Sequence, residues 1–220
     1  MTNRKTEASS VLGASDNQAV YQHSFLQRAH CLLQCAYQNL ASRDFCNAQE
    51  DVITGELCKH MSFLTEDQPS AGWMRHFSVH DQYPVHDIPA AEGSIRTGKR
   101  RPKVDIRLVQ KTRVPNIGMA IEAKRICRSD SVSKYIGDDG IGAFVCGEYG
   151  RTESFGSMLA YVQSHSIAHW LPKVSAKLDK ANAWQAQCWA DGPSTGFQST
   201  HSRHSGDSIT LFHSFFDFAK

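Results

Sequence analysis

The chain reads as an α/β fold, a central mixed sheet of four to five strands flanked by helices. Three observations predict it. Two stretches near the start repeat their apolar residues at helical spacing. Two stretches in the middle, around Val104–Leu108 and Met119–Lys124, alternate apolar and polar residues as half-buried strands do. The overall order of elements is helix, three strands, helix, strand, as in a layered α/β core.

Residues 1–18 are polar and poor in apolar side chains, so a disordered tail is expected, with one domain over 19–220 that ends in a helical and strand elaboration. The first helix is predicted over 19–42, with Phe25, Ala29, Leu32, Leu33, Ala36 and Leu40 on one stripe. The second spans 46–64 on Ile53, Leu57, Met61 and Leu64; Glu50 falls on that stripe and Glu56 well off it. From Thr65 to Gly98 the pattern is irregular, broken by Pro69, Pro84 and Pro89, with a strand near Trp73–Val79. The two central strands follow, joined as a hairpin through a turn at Pro115-Asn116. Arg128–Tyr135 reads as a short helix, Gly137–Gly140 as a turn and Ile141–Cys146 as a buried strand. Glu153–Ile167 reads as a helix with Phe155, Met158, Leu159 and Val162 inward, and Pro172 as the start of another reaching about Ala183. Gly192–Gly206 is loop-like, and Ile209–Phe218 closes the chain as a buried strand.

Composition sets the context. Two hundred and twenty residues suffice to bury a sizeable core. The first ten residues are polar with no apolar run, and no stretch reaches membrane-spanning length, so neither a leader nor a membrane partner is expected. Seven irregularly spaced cysteines argue against a disulfide framework and for a reduced, cytoplasmic setting. The net charge of +2 hides an asymmetry: residues 98–128 carry ten Lys/Arg against only Asp105 and Glu122. Lys99, Arg100, Arg101, Lys103, Arg107 and Arg125 belong to that window and form a surround suited to a polyanion, nucleic acid first.

In Lys103-Val-Asp105-Ile-Arg107-Leu108, Val104, Ile106 and Leu108 share one face and Asp105 takes the other. In Met119–Lys124, Met119, Ile121 and Ala123 share a face, leaving Glu122 and Lys124 together opposite. Each strand thus offers an apolar side to a core and an ionisable side to a site. An Asp on one strand followed by Glu-x-Lys on the next resembles the PD-(D/E)xK nuclease superfamily, the likeness spanning residues 44–126. The pattern departs in having Val104 before Asp105, with the proline at Pro102.

The resemblance implies a restriction-endonuclease-like core and a metal-dependent hydrolase of phosphodiester bonds in DNA, with RNA left open. It implies Mg²⁺, replaceable by Mn²⁺, on Asp105, Glu122 and the Ala123 carbonyl, with Glu50 beside the metal and Lys124 on the attacking water. It points to restriction, repair or mobile-element defence, with a homodimer or a partner ATPase or helicase as associates. The chemistry is coherent: hard carboxylate oxygens suit these cations, and two carboxylates ~4 Å apart repel by roughly 4 kcal/mol at an effective dielectric near 20, so convergent acids call for a cation or a raised pKa. Glu50 also has a plainer reading, an acid that simply opens its helix. The alternative for the whole chain is a non-catalytic nucleic-acid-binding or assembly module on the same fold.

Other signals are set lower. His76-x3-His80, Cys31-x3-Cys35 and Cys58-x-His60 lack the paired spacing of a zinc site, and Cys31 and Cys35 read as small buried thiols. Gly137-Asp-Asp-Gly-Ile-Gly142 lacks the lysine and the spacing of a phosphate-binding loop. His201-x2-His204 reads as a solvated loop, His213 as a satisfied core residue, and Tyr135, Tyr149 and Tyr161 as packing residues.

Overall fold

The computed structural model describes residues 14–67, 71–85, 102–111, 117–179 and 196–219. Helices α1 (Ala14–Leu40) and α2 (Glu50–Ser62) come first, α2 running on through one π turn, Phe63–Asp67. A 3-10 turn, Gly72–His76, leads into β1 (Phe77–Pro84). Then come β2 (Lys103–Gln110), β3 (Ile117–Ile126), α3 (Ser129–Ile136), α4 (Ile141–Val145), β4 (Phe155–Val162), α5 (Ile167–Asp179), β5 (Gly196–Ser202) and β6 (Ser208–Asp217). The strands form one mixed sheet of six, ordered β1-β2-β3-β4-β6-β5. β1, β2 and β3 make an antiparallel meander, β3–β4 and β4–β6 are parallel, and β5–β6 is antiparallel. The parallel pair β3–β4 is joined by the helical crossover that such pairing requires.

Helices cover both faces, and each encloses a core. On one face Phe25, Leu32 and Leu33 of α1 and Ile53, Leu57 and Met61 of α2 pack with Ile106, Leu108, Met119, Ile121 and Ala123. On the other, Val132 and Tyr135 of α3, Phe144 of α4, and Trp170 and Val174 of α5 pack with Ala120, Met158, Ala160, Leu211 and Phe215. β4 serves both cores, and all eight of its residues are buried. Two histidines end inside the second core. The Tyr135 hydroxyl meets His213 Nδ1 at 2.8 Å, His213 Nε2 meets Ser199 Oγ at 2.7 Å, and that hydroxyl meets His201 Nε2 at 2.6 Å. The chain of bonds satisfies groups that burial would otherwise leave costly.

The second helix, the two central strands and the last strand fall where the sequence places them, while the turn expected at Pro115-Asn116 lies outside the described residues. Several elements do not. The first helix begins at Ala14, so residues 14–18 of the expected tail are helical, while 1–13 lie outside the described residues. The strand expected near Trp73–Val79 starts at Phe77, after the 3-10 turn. Ile141–Cys146, read as a buried strand, is helix α4 over Ile141–Val145. Glu153–Ile167, read as a helix, contains the central strand β4: a strand buried on both faces loses its alternation, and its apolar residues then match a helical period by accident. α5 starts at Ile167, so Pro172 lies in its second turn and not at its start. The expected loop at 192–206 contains β5, and His201 is buried there rather than solvated. Cys31 is exposed and Cys35 half-buried, on the rim of α1 rather than in the core. His213, Tyr135 and Tyr161 are core residues as expected.

Two glycines give opposite expectations. An added Cβ at Gly140 would run into the Tyr135 carbonyl oxygen, which the α3–α4 turn holds in place, whereas one at Gly55 in α2 meets nothing within 4 Å. Gly140→Ala should therefore destabilise by about 1–3 kcal/mol, and Gly55→Ala should stabilise by about 0.5–1 kcal/mol, read as shifts in urea midpoint. Burial pushes His30 down to about 3, His213 well below the usual histidine range, and His201 down as well. Unfolded histidines titrate near ~6.5. Their stabilising effect is complete above that pH and is lost as pH falls, because the unfolded chain takes up protons that the fold refuses. Urea titrations should show stability dropping below about pH 6.5, with a shallower drop in His30→Leu; identical slopes in the two proteins would contradict this.

Candidate active site

The site forms where β2 and β3 part. Their ladder runs from Gln110 opposite Ile117 to Ile106 opposite Ile121 and stops there, while β2 goes on pairing with β1 through Val104 and Lys103. Beyond the last rung, the backbone N–H of Ala123 donates to Asp105 Oδ2 at 2.9 Å. The carboxylate thus replaces a strand as acceptor for the Ala123 N–H. Asp105 Oδ1 accepts from Gln82 Nε2 of β1 at 3.1 Å.

β3 supplies the other half. Its alternation sends Ile121 and Ala123 into the first core and turns Glu122 and Lys124 to the opposite side. Lys124 Nζ donates to Glu122 Oε1 at 2.5 Å, to the Ala123 carbonyl at 3.0 Å and to Glu50 Oε1 at 3.3 Å. Glu50 arrives as the first residue of α2, and its Oε2 accepts the Arg125 N–H at 2.9 Å. The segment just before α2 is held by the Ala48 carbonyl, which accepts from Arg125 and from buried Gln163 at 3.1 and 2.8 Å. Both readings of Glu50 hold together: it opens its helix, where the dipole favours an acid, and it reaches the site. Glu56, off the apolar stripe, does not; it pairs at the surface with Arg43 at 2.6 Å and with Lys59 at 3.6 Å.

The electrostatics are unbalanced. Glu122 is almost fully buried and, among the described residues, its Oε2 has no hydrogen-bond partner. Burial, then the charge of Asp105, lifts its carboxyl to about 8 against the pull of Lys124. Burial lifts Asp105 too, opposed by the Ala123 N–H and Lys124. For Lys124 burial favours the neutral amine, but Glu122 and Glu50 outweigh it and hold the ammonium. Among the described residues one cation, Lys124, therefore faces the carboxyl groups of Glu50, Asp105 and Glu122.

The donor set fits a hard divalent cation. Asp105, Glu122 and the Ala123 carbonyl offer oxygen ligands, and Mg²⁺ commonly takes only one or two carboxylates and keeps several waters. The Glu122 Oε2, without a partner among the described residues, is an acceptor that such a cation would take. Among the described residues no three His, Cys, Asp or Glu side chains form a ready metal cage. Lys124 instead binds oxygens on Glu122, Glu50 and Ala123.

The expected phosphate contacts divide. Lys103 is exposed at the start of β2. Arg107 is ion-paired to Glu153 and Arg125 bonds the Ala48 carbonyl, so both are engaged within the fold. Lys99, Arg100 and Arg101 lie outside the described residues. Two residues near the site escaped the sequence reading. Gln82 becomes a partner of Asp105 only through the register of β1 against β2. Tyr149, read as a packing residue, donates to the Lys103 carbonyl at 3.1 Å where β2 has left β3, and its hydroxyl is pushed up by burial, then by Glu122 and Asp105. No periodic signal marks either one.

Comparison of the chain with protein-family models, with curated proteins and with solved structures finds no match.

Glu122 gives a test of this electrostatic picture. Its carboxyl is raised in the fold, so its contribution to stability weakens as pH climbs from the ordinary carboxylate range to about 8. Glu122→Gln should be more stable than wild type at pH 8 by about 1–3 kcal/mol, the gap closing toward pH ~5. Thermal melts across that range would read it, and a gap that does not change with pH would contradict the picture.

Proposed function

We propose that the chain is a metal-dependent nuclease of the PD-(D/E)xK type, built on a restriction-endonuclease-like core and hydrolysing phosphodiester bonds in DNA. The observation that carries this is the meeting of Asp105, Glu122, Lys124 and Glu50, from three separate elements, at the opening between β2 and β3. Asp105, Glu122 and the Ala123 carbonyl would hold Mg²⁺ or Mn²⁺, with Glu50 beside them. Such an ion supplies a water of lowered pKa and a counter-charge for the phosphoryl oxygens. Lys124, kept charged by Glu122 and Glu50, is a donor rather than a base: it orients the attacking water and offsets charge that builds on the phosphate. Glu50 fixes Lys124 and, through the Arg125 N–H, ties it to the start of α2. Lys103 at the mouth meets the substrate backbone. Work in restriction, repair or mobile-element defence, as a homodimer or with a partner ATPase or helicase, belongs to the same reading.

One observation favours a second reading, a non-catalytic nucleic-acid-binding module on this fold. Lys124 already binds oxygens that a metal would take, so the site can close without one. Cleavage of supercoiled and linear DNA, with RNA in parallel, separates the two. Wild type should cut with Mg²⁺ or Mn²⁺ and not in EDTA, and Asp105→Ala and Lys124→Ala should each lose at least about 10²-fold in rate. Salt-sensitive binding without cutting, equal in wild type and Asp105→Ala, would establish the second reading.

A further inference from the structure

Gln82 adopts φ +48°, and His165 is the other non-glycine with positive φ among the described residues. That region is unfavourable for a side chain with a Cβ, and Gln lacks the short amide that lets Asn enter it readily. The kink is confined to this residue: Asp81 pairs opposite Ile106 and Tyr83 opposite Val104, so the strand is in register on both sides. The position is exposed, so no core packing forces the backbone there. Strain of this kind persists only where something holds it, and it concentrates at functional sites. What Gln82 holds is Asp105, its Nε2 lying 3.1 Å from Oδ1.

We infer that Gln82 is a positioning residue for the Asp105 carboxylate, a role that rests on the reading of Asp105 as a metal ligand. Asp105 is gripped from both neighbouring strands, by Gln82 of β1 on Oδ1 and by the Ala123 N–H of β3 on Oδ2. A carboxylate offers about four acceptor directions. Two donors on different oxygens fix its plane and leave a direction free on each oxygen, already aimed. Outer partners of this kind set ligand orientation, and their loss commonly weakens metal binding 10- to 100-fold. An acid alone on its face would rotate; the left-handed turn at Gln82 is the device that prevents this.

Glycine and leucine at this position separate strain from positioning. Gln82→Gly relieves the backbone and removes the donor; Gln82→Leu keeps the strain and removes the donor. Three readouts are taken: the melting temperature, Mn²⁺ affinity by paramagnetic resonance, and the Ala123 amide signal with its hydrogen exchange. Both variants should bind Mn²⁺ about 10- to 100-fold more weakly. In both, the Ala123 amide should shift upfield and exchange faster as Asp105 turns away. Gln82→Gly should melt no lower than wild type, and Gln82→Leu should melt lower. Should the leucine variant fail to fold, the glycine variant carries the test alone. An unchanged Ala123 amide with unchanged Mn²⁺ affinity in Gln82→Gly overturns the inference. If wild type binds no Mn²⁺, the metal reading fails, and the amide decides by itself: a shift upholds Gln82 as the holder of Asp105, and no shift overturns it.

Discussion

The bond from the Ala123 N–H to the Asp105 carboxylate is the interaction on which the site depends. Two antiparallel strands cannot separate in a protein interior without orphaning backbone donors, and an orphaned donor is expensive. Here the side chain of one strand satisfies the main chain of the other, just past the last rung at Ile106 and Ile121. The group that satisfies this donor at the opening is the acid displayed in it. Tyr149 acts in the same place from outside, giving the Lys103 carbonyl a donor after β2 has lost β3.

Charge is the second constraint. Among the described residues three carboxyl groups and one ammonium share a space largely shielded from water, and Glu122 keeps an oxygen without a hydrogen-bond partner there. A buried ion pair is rarely a gain in stability over an apolar filling. An arrangement with a surplus of buried acid is harder still to account for as scaffolding.

Much of this was legible in the sequence, and the failures have a common cause. Asp105, Glu122 and Lys124 were readable because they alternate with Ile106, Leu108, Met119, Ile121 and Ala123 of the first core, although Val104, expected on that face, packs in the second core with Ala120 and Ile126. Glu50 was readable as an acid on an apolar stripe. β4 was not, because burial on both faces erases alternation and leaves an apolar run that any period fits. α4 failed for the same reason: a short apolar run looks alike as helix or strand. The register of β1 against β2, which alone brings Gln82 to Asp105, has no local signature, since pairing is a property of two segments and not of one. Arg107 and Arg125 show a related gap. Both looked like free cations in a basic stretch, yet Glu153 lies 46 positions from Arg107 and Ala48 lies 77 from Arg125, beyond any local pattern.

The parallel pairing of β3 with β4 has a consequence for how the site comes into being. Glu50, Gln82, Asp105, Glu122 and Lys124 all precede residue 125, so a ribosome that has exposed the chain to that point has delivered every one of them. At that stage the far edge of β3 still lacks its neighbour, because β4 emerges some thirty residues later, and Gln163, which clasps the loop ahead of α2, later still. Glu122 and Lys124 sit on the very stretch of β3 that β4 completes. During synthesis the acids are therefore present before the strand and the glutamine that flank them in the finished fold.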